Sequence, residues 1–253
     1  MMKSLKDGIN TLCAKSVLKQ SRYCAALDDL PDMLFGYWRD TAKREFPGIP
    51  CDAVFFTRAA VGLMNFFDCV ATSQKPCGLP SKAADSVWHA WLACDPAGLE
   101  RFCRKHFRRQ IPHIKIEDMG VAKDDSLANC LVAARRLEGI NAASAALPAL
   151  FKLDARLKMP GGYAYRSCND KVGFASMDRK GRAGPRLSYP EALLPASLLA
   201  VGLVSSSEYE AYIASLWENR STTSTGAEST DGADCSDSGD GGGCSCGGGC
   251  GGD

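Results

Sequence analysis

Residues Asp85 to His113, DSVWHAWLACDPAGLERFCRKHFRRQIPH, hold all three histidines of the 253-residue chain, His89, His106 and His113, together with Cys94 and Cys103. Imidazole and thiol are the side chains that ligate borderline metal ions and that serve as base and nucleophile near neutral pH. Their order is His89-x13-Cys103-x2-His106-x6-His113. No standard zinc finger has that spacing, yet neutral imidazole with thiolate suits zinc once the chain folds back on itself. Asp85 stands four residues before His89. On a helix such a pair touches, so the carboxylate can accept an imidazole N–H, fix the tautomer and leave the other ring nitrogen free. The same pair would orient a base for a Cys103 nucleophile, which makes Cys103, His89 and Asp85 the candidate catalytic residues of an enzyme. The plainest alternative is a hydrogen bond at a helix edge with no further role.

The elements that must position these groups can be read from periodicity. A helix through Ala84–Ala93, turning about 100° per residue, puts Ala84, Val87, Trp88, Trp91 and Leu92 on one face, with Asp85 and His89 at its flank. Asp95-Pro96 reads as a cap followed by proline at the first helical position. In the helix it opens, Pro96–Arg109, one stripe carries Arg101, Arg104, Lys105, Arg108 and Arg109, and Leu99, Phe102, Cys103, His106 and Phe107 lie opposite. Cys103 and His106 are therefore expected to face inward, and the basic stripe to be a solvated face. Pro112 favours an extended Ile111, which places His113 in a short extended piece that can turn back toward His89 and Cys103.

Elsewhere the body is mainly α. Leu5–Leu27 has helical spacing, Leu34–Phe46 is bounded by prolines, and Val54–Thr72 is apolar nearly all round, as a buried central helix is. Leu127–Ile140 reads as helix. Pro190 opens a helix that Gly202 closes, and Ser207 opens another through Trp217. Met159–Pro190 is Gly/Pro/Arg-rich loop with a β-ribbon around Tyr163–Cys168. Residues 1–218 are thus expected to form one compact helical domain.

Residues 219–253 have no aromatic residue, no leucine or valine, 11 glycines and a net charge of −5. Such a segment cannot offset the entropy of ordering, and the expectation is a disordered acidic tail. Its four cysteines, Cys235, Cys244, Cys246 and Cys250, include one Cys-x-Cys step that permits soft-metal binding, so the tail is a separate metal candidate. The body is left with a net charge of +6, too little to argue for nucleic acid. Met1–Tyr23 has no uninterrupted apolar stretch of a secretory signal. The run Ala192–Val204 is too short and too broken to cross a bilayer. A cytoplasmic location follows as the expectation, with thirteen cysteines kept as thiols rather than as a disulfide framework. Residues 1–218 contain no G-x-G-x-x-G, Walker A, H-E-x-x-H or G-x-S-x-G pattern, which argues against the common nucleotide enzymes, zincin proteases and α/β-hydrolases.

The run PSKAADSVWHAWL, followed by LERFC and PH, resembles the glycine-rich domain-containing protein-like family of plants and bacteria. That family shows an acidic residue before Trp-His at a helix start, Phe-Cys on the next helix, and a His-Pro type ending in many bacterial members. The matching positions are Asp85, Trp88, His89, Phe102, Cys103 and His113. Bacterial members are also similar through Leu147–Cys168 and in a Gly/Cys-rich tail, so the likeness spans residues 80–168 plus the tail. The chain departs from the pattern in ending Pro-His-Ile, and His106 is not part of it. The resemblance implies the set His89, Cys103, His113 and Cys168 as metal ligands, and it implies no established activity. The reading that results is a helical binding or scaffold protein with a protein partner, holding a metal such as zinc through a Cys/His cluster. The alternatives are the Cys103/histidine enzyme and a protein that binds metal through its tail.

Overall fold

The computed structural model describes residues 12–114, 118 and 120–223, with backbone alone for 219–223. Residues 12–20 are helical (α1) and a turn separates them from α2 (Cys24–Asp28). The single helix expected over Leu5–Leu27 is therefore interrupted, and its first residues lie outside the described ones. The break is tertiary in origin. Arg22 Nη1 donates to Leu137 O at 2.8 Å and the Tyr23 hydroxyl donates to Asp68 Oδ2 at 2.9 Å, so the turn is tied to two later helices.

Next come α3 (Asp32–Glu45), α4 (Ala53–Thr72), α5 (Lys82–Cys94) and α6 (Pro96–Phe107). Each start has a local cause. Pro31 precedes α3; Asp52 caps α4 by accepting from Phe55 N–H at 3.0 Å; Ser81 accepts from Ala84 N–H at 3.2 Å; Asp95 accepts from Gly98 N–H at 2.8 Å, with Pro96 at the first position of α6. Then follow α7 (Lys123–Leu137), α8 (Ala149–Leu157), the strands β1 (Tyr163–Cys168) and β2 (Lys171–Ser176), a 3-10 turn at Glu191–Leu193, α9 (Pro195–Ala200) and α10 (Ser206–Thr223). The mainly helical class with a small β-ribbon holds. The ribbon is antiparallel, with Tyr163 opposite Ser176 and Cys168 opposite Lys171.

α4 is the axis of the fold and packs against α2, α5, α6, α7 and α8. It is long and apolar enough to cross a membrane by composition, but 67% of its most apolar window is buried within the protein. Leu63, Met64, Phe66 and Phe67 are each at most 2% exposed, and each such burial is worth about 1.5–3 kcal/mol. Gly62 lets α8 come close: a Cβ there would stand 2.2 Å from Leu153 Cδ2. One continuous apolar cluster runs from Ala26 to Tyr212. Arg135 is buried in it and clamps the loop after α7, donating from Nε to Ala146 O at 3.0 Å and from Nη1 to Ala142 O at 2.9 Å.

The element that sets the site is the α8–α5 junction. Asp154 on α8 is 1% exposed and accepts from the Ser81 hydroxyl at 2.6 Å and from the backbone N–H groups of Lys82, Ala83 and Tyr163 at 3.0 Å each. The Lys82 and Ala83 groups are orphan donors of a helix start and the Tyr163 group begins β1, so one carboxylate joins α8, α5 and β1. Burial raises its pKa against the pull of those four donors. Gly162 is required beside it, since a Cβ would lie 2.5 Å from Asp154 Oδ2.

Candidate metal centre

Asp85 and His89 lie one turn apart on α5, as their spacing dictates, and each side chain is about 30% exposed. His113 follows α6 in a stretch without regular structure, Ile111–Ile114, anchored by the buried Ile111. It folds back so that its ring packs edge-on against Trp88, with centroids 4.5 Å apart, and against His89, at 4.8 Å. Trp88 is itself wedged between Phe66 and Phe67 of α4. The imidazole of His113 is thus placed by a stack of aromatic rings reaching down to the core.

Three atoms converge. His89 Nε2 is 3.0 Å from His113 Nε2 and 3.4 Å from Asp85 Oδ1, and His113 Nε2 is 3.5 Å from the same oxygen. His89 Nδ1 lies 2.5 Å from Glu45 Oε1, the last residue of α3. That contact assigns the His89 proton to Nδ1 and turns the Nε2 lone pair toward the other two atoms. Zinc-ligand bonds of about 2.0–2.1 Å put tetrahedral neighbours roughly 3.3 Å apart. The three observed separations bracket that value. Among the described residues, Asp85, His89 and His113 are the group of metal-capable side chains brought together in this way.

Two sequence expectations change here. Asp85 was to orient His89 as a partner behind it, but that part is taken by Glu45, and Asp85 faces the same point as the two Nε2 atoms. Glu45 carried no signal in the sequence: it stands 44 residues from His89 and ends a helix whose contact with α5 is purely tertiary. The second change concerns the thiols. Cys103 faces inward as expected and is 1% exposed, but it lies in the apolar core outside the cluster, and burial pushes its thiol up to about 12. A thiol so shifted is a poor nucleophile near neutral pH, and its place outside the cluster keeps it from the ligand set. Cys168 ends β1, is buried and is not in the cluster; it is disulfide-bonded, so the expectation that every cysteine is kept as a thiol fails at this position. The disordered tail was expected from residue 219, but residues 219–223 are the helical end of α10; residues 224–253, with Cys235, Cys244, Cys246 and Cys250, lie outside the described residues.

His106 is half-buried rather than part of the core. It pairs with Asp29 Oδ2 at 2.7 Å and packs on Phe102. The basic side chains, Arg101, Arg104 and Lys105 on α6 with Arg108 and Arg109 past its end, are exposed, with Arg104 paired to Glu100 and Arg109 donating to Val70 O and Ser73 O.

The cluster opens on a cavity of about 320 Å³. Aromatic rings form much of its wall, namely Phe66, Trp88, Tyr163, Tyr165 and Phe174, and Lys82 and Lys123 also line it. Burial pushes the Tyr165 phenol far up, so it stays a neutral hydroxyl.

Fold and cluster together define a mainly helical protein that presents a half-buried carboxylate and two imidazoles at the mouth of an aromatic cavity. Residues 53–182, just over half of the chain, match the model of the UCP032817-like family, and the protein belongs to that family. The matched segment includes Asp85, His89 and His113 but not Glu45. Searches of curated proteins and of solved structures returned no match.

Proposed function

We propose that the protein binds one divalent first-row transition ion, with zinc as the reference case, through Asp85 Oδ1, His89 Nε2 and His113 Nε2, with Glu45 holding His89 in the ligating tautomer. The observation that carries this reading is the mutual spacing of the three atoms, 3.0–3.5 Å. With His89's N–H committed to Glu45, His89 Nε2, Asp85 Oδ1 and His113 Nε2 face one point. A cation satisfies all three. Two imidazoles and one carboxylate suit zinc, iron, cobalt or nickel, and a three-ligand protein set leaves coordination open on the side of the cavity, as catalytic and ligand-binding metal sites do. The reading replaces the Cys/His cluster by an Asp/His/His one and leaves no part for Cys103. Asp85, Trp88, His89 and His113 are also positions by which the chain resembles the glycine-rich domain-containing protein-like chains, and we extend the same site to that likeness.

The test is elemental analysis and cobalt substitution of the full chain. One ion per chain is expected, with visible d–d bands and no thiolate-to-cobalt charge-transfer band. His89→Ala and His113→Ala should each remove it, while replacing the four tail cysteines by serine should not. Binding that survives both histidine changes, or a spectrum dominated by thiolate charge transfer, would refute the assignment.

A further inference from the structure

We infer that the cavity beside the triad receives a small organic carboxylate with a flat apolar body, whose carboxylate completes the shell of the bound ion. This rests on the metal reading above. Lys82 is one turn before Asp85 and two before His89 on the same face of α5. Its ammonium stands 5.5 Å from the centre of the Tyr163 ring, and that of Lys123, from α7, stands 5.6 Å from the same centre. Two cations thus share one aromatic ring at the wall of the cavity. Among the described residues neither has a carboxylate within ion-pair distance. The carboxylate that lines the cavity, Asp85, is the one assigned to the metal. With the ion in place, the described wall of the cavity carries a net positive charge.

The polar groups of the wall narrow the class further. The hydroxyls of Ser81 and Ser126 are already committed, to Asp154 Oδ1 at 2.6 Å and to Lys123 O at 2.8 Å. The N-terminus of α5, an ordinary anion site, is filled by Asp154. The backbone N–H groups at the start of α5 are therefore not on offer to a phosphate. Free among the described residues are two ammonium groups, the hydroxyls of Tyr163 and Tyr165, and the indole N–H of Trp88, a residue 4% exposed that lines the cavity. Beside these donors stand the faces and edges of Phe66, Tyr163, Tyr165 and Phe174. A few donors in an aromatic pocket of this size fit a compact, flat anion rather than a polyphosphate or a sugar.

Benzoate, acetate and inorganic phosphate are the probes, titrated into the cobalt-loaded full chain and followed by the d–d spectrum. Benzoate is expected to shift the bands saturably and to bind about ten-fold or more tightly than acetate through burial of its ring. Phosphate should have the weaker effect. The double change Lys82→Met and Lys123→Met should weaken benzoate about ten-fold or more with cobalt stoichiometry unchanged. Cobalt bound without any response to benzoate overturns this inference and leaves the metal site standing. Equal affinity for acetate and benzoate, or a stronger response to phosphate, overturns the assigned class. A chain that takes up no cobalt overturns both readings.

Discussion

Replacing Asp154 by alanine is expected to loosen the whole site without touching a ligand. The carboxylate is 1% exposed and serves four donors: the Ser81 hydroxyl and the N–H groups of Lys82, Ala83 and Tyr163. After truncation the hydroxyl can rotate to another acceptor, but the three N–H groups are fixed by the start of α5 and by β1. Each unsatisfied buried donor costs about 1–3 kcal/mol, the partly buried ones at the low end. The sum is roughly 3–5 kcal/mol, the range seen when one partner of a buried charged contact is removed. For a chain of this size about 2–4 °C of melting temperature is lost per kcal/mol, so the midpoint should fall by about 10 °C. Thermal melts followed by circular dichroism, with urea titration as a check, measure it. Asp154→Asn keeps one acceptor oxygen and removes the buried charge, and should fall between the alanine variant and the parent. A midpoint for Asp154→Ala within about 2 °C of the parent, no more than the smallest effect of a single orphaned donor, would falsify the claim that this carboxylate holds α5 in place.

Glu45→Gln should leave the melting temperature of the metal-free protein nearly unchanged, because Glu45 is half exposed, while weakening zinc about ten-fold or more in calorimetric titration. Zinc at about a hundred times its dissociation constant should stabilise the parent by roughly 2.7 kcal/mol, read as a rise in melting temperature that is lost in His113→Ala. Cys103 should resist iodoacetamide in the native protein at neutral pH and become reactive only on unfolding, since burial holds its thiol near 12; rapid native alkylation at this position, mapped by mass spectrometry, would restore the case for a nucleophile. Gly162→Ala should destabilise to an extent comparable with Asp154→Ala, because the added methyl would sit 2.5 Å from Asp154 Oδ2.

Much of the helical layout was legible before folding because its causes are local. Prolines at 31, 47 and 96, the cap Asp95, the apolar face of Ala84–Ala93 and the all-round apolarity of Val54–Thr72 placed α3, α4, α5 and α6 to within a few residues. Two elements were missed for the same kind of reason. α8 is only nine residues long, and its helical state is supported by contact with α4 rather than by a long pattern of its own. β2 reads KVGFAS, with a glycine at its third position, and is recognisable as a strand only once β1 lies beside it. The interruption of the first helix was invisible because it depends on Asp68 and the carbonyl of Leu137, far along the chain.

The sequence by itself determined that every imidazole would sit within one window, and helical periodicity determined that Asp85 and His89 would share a helix face and that Cys103 would point inward. The tertiary structure decided what those facts amount to. The packing of His113 on Trp88, and of Trp88 between Phe66 and Phe67, brings His113 to His89. The packing of α3 on α5 supplies Glu45, and depth in the core takes Cys103 out of the chemistry. Spacing along a chain specifies neighbours on one helix. Which side chains from other elements meet there, and how far water is excluded from each, depends on contacts between residues separated by tens of positions, and those exist only once the core has closed.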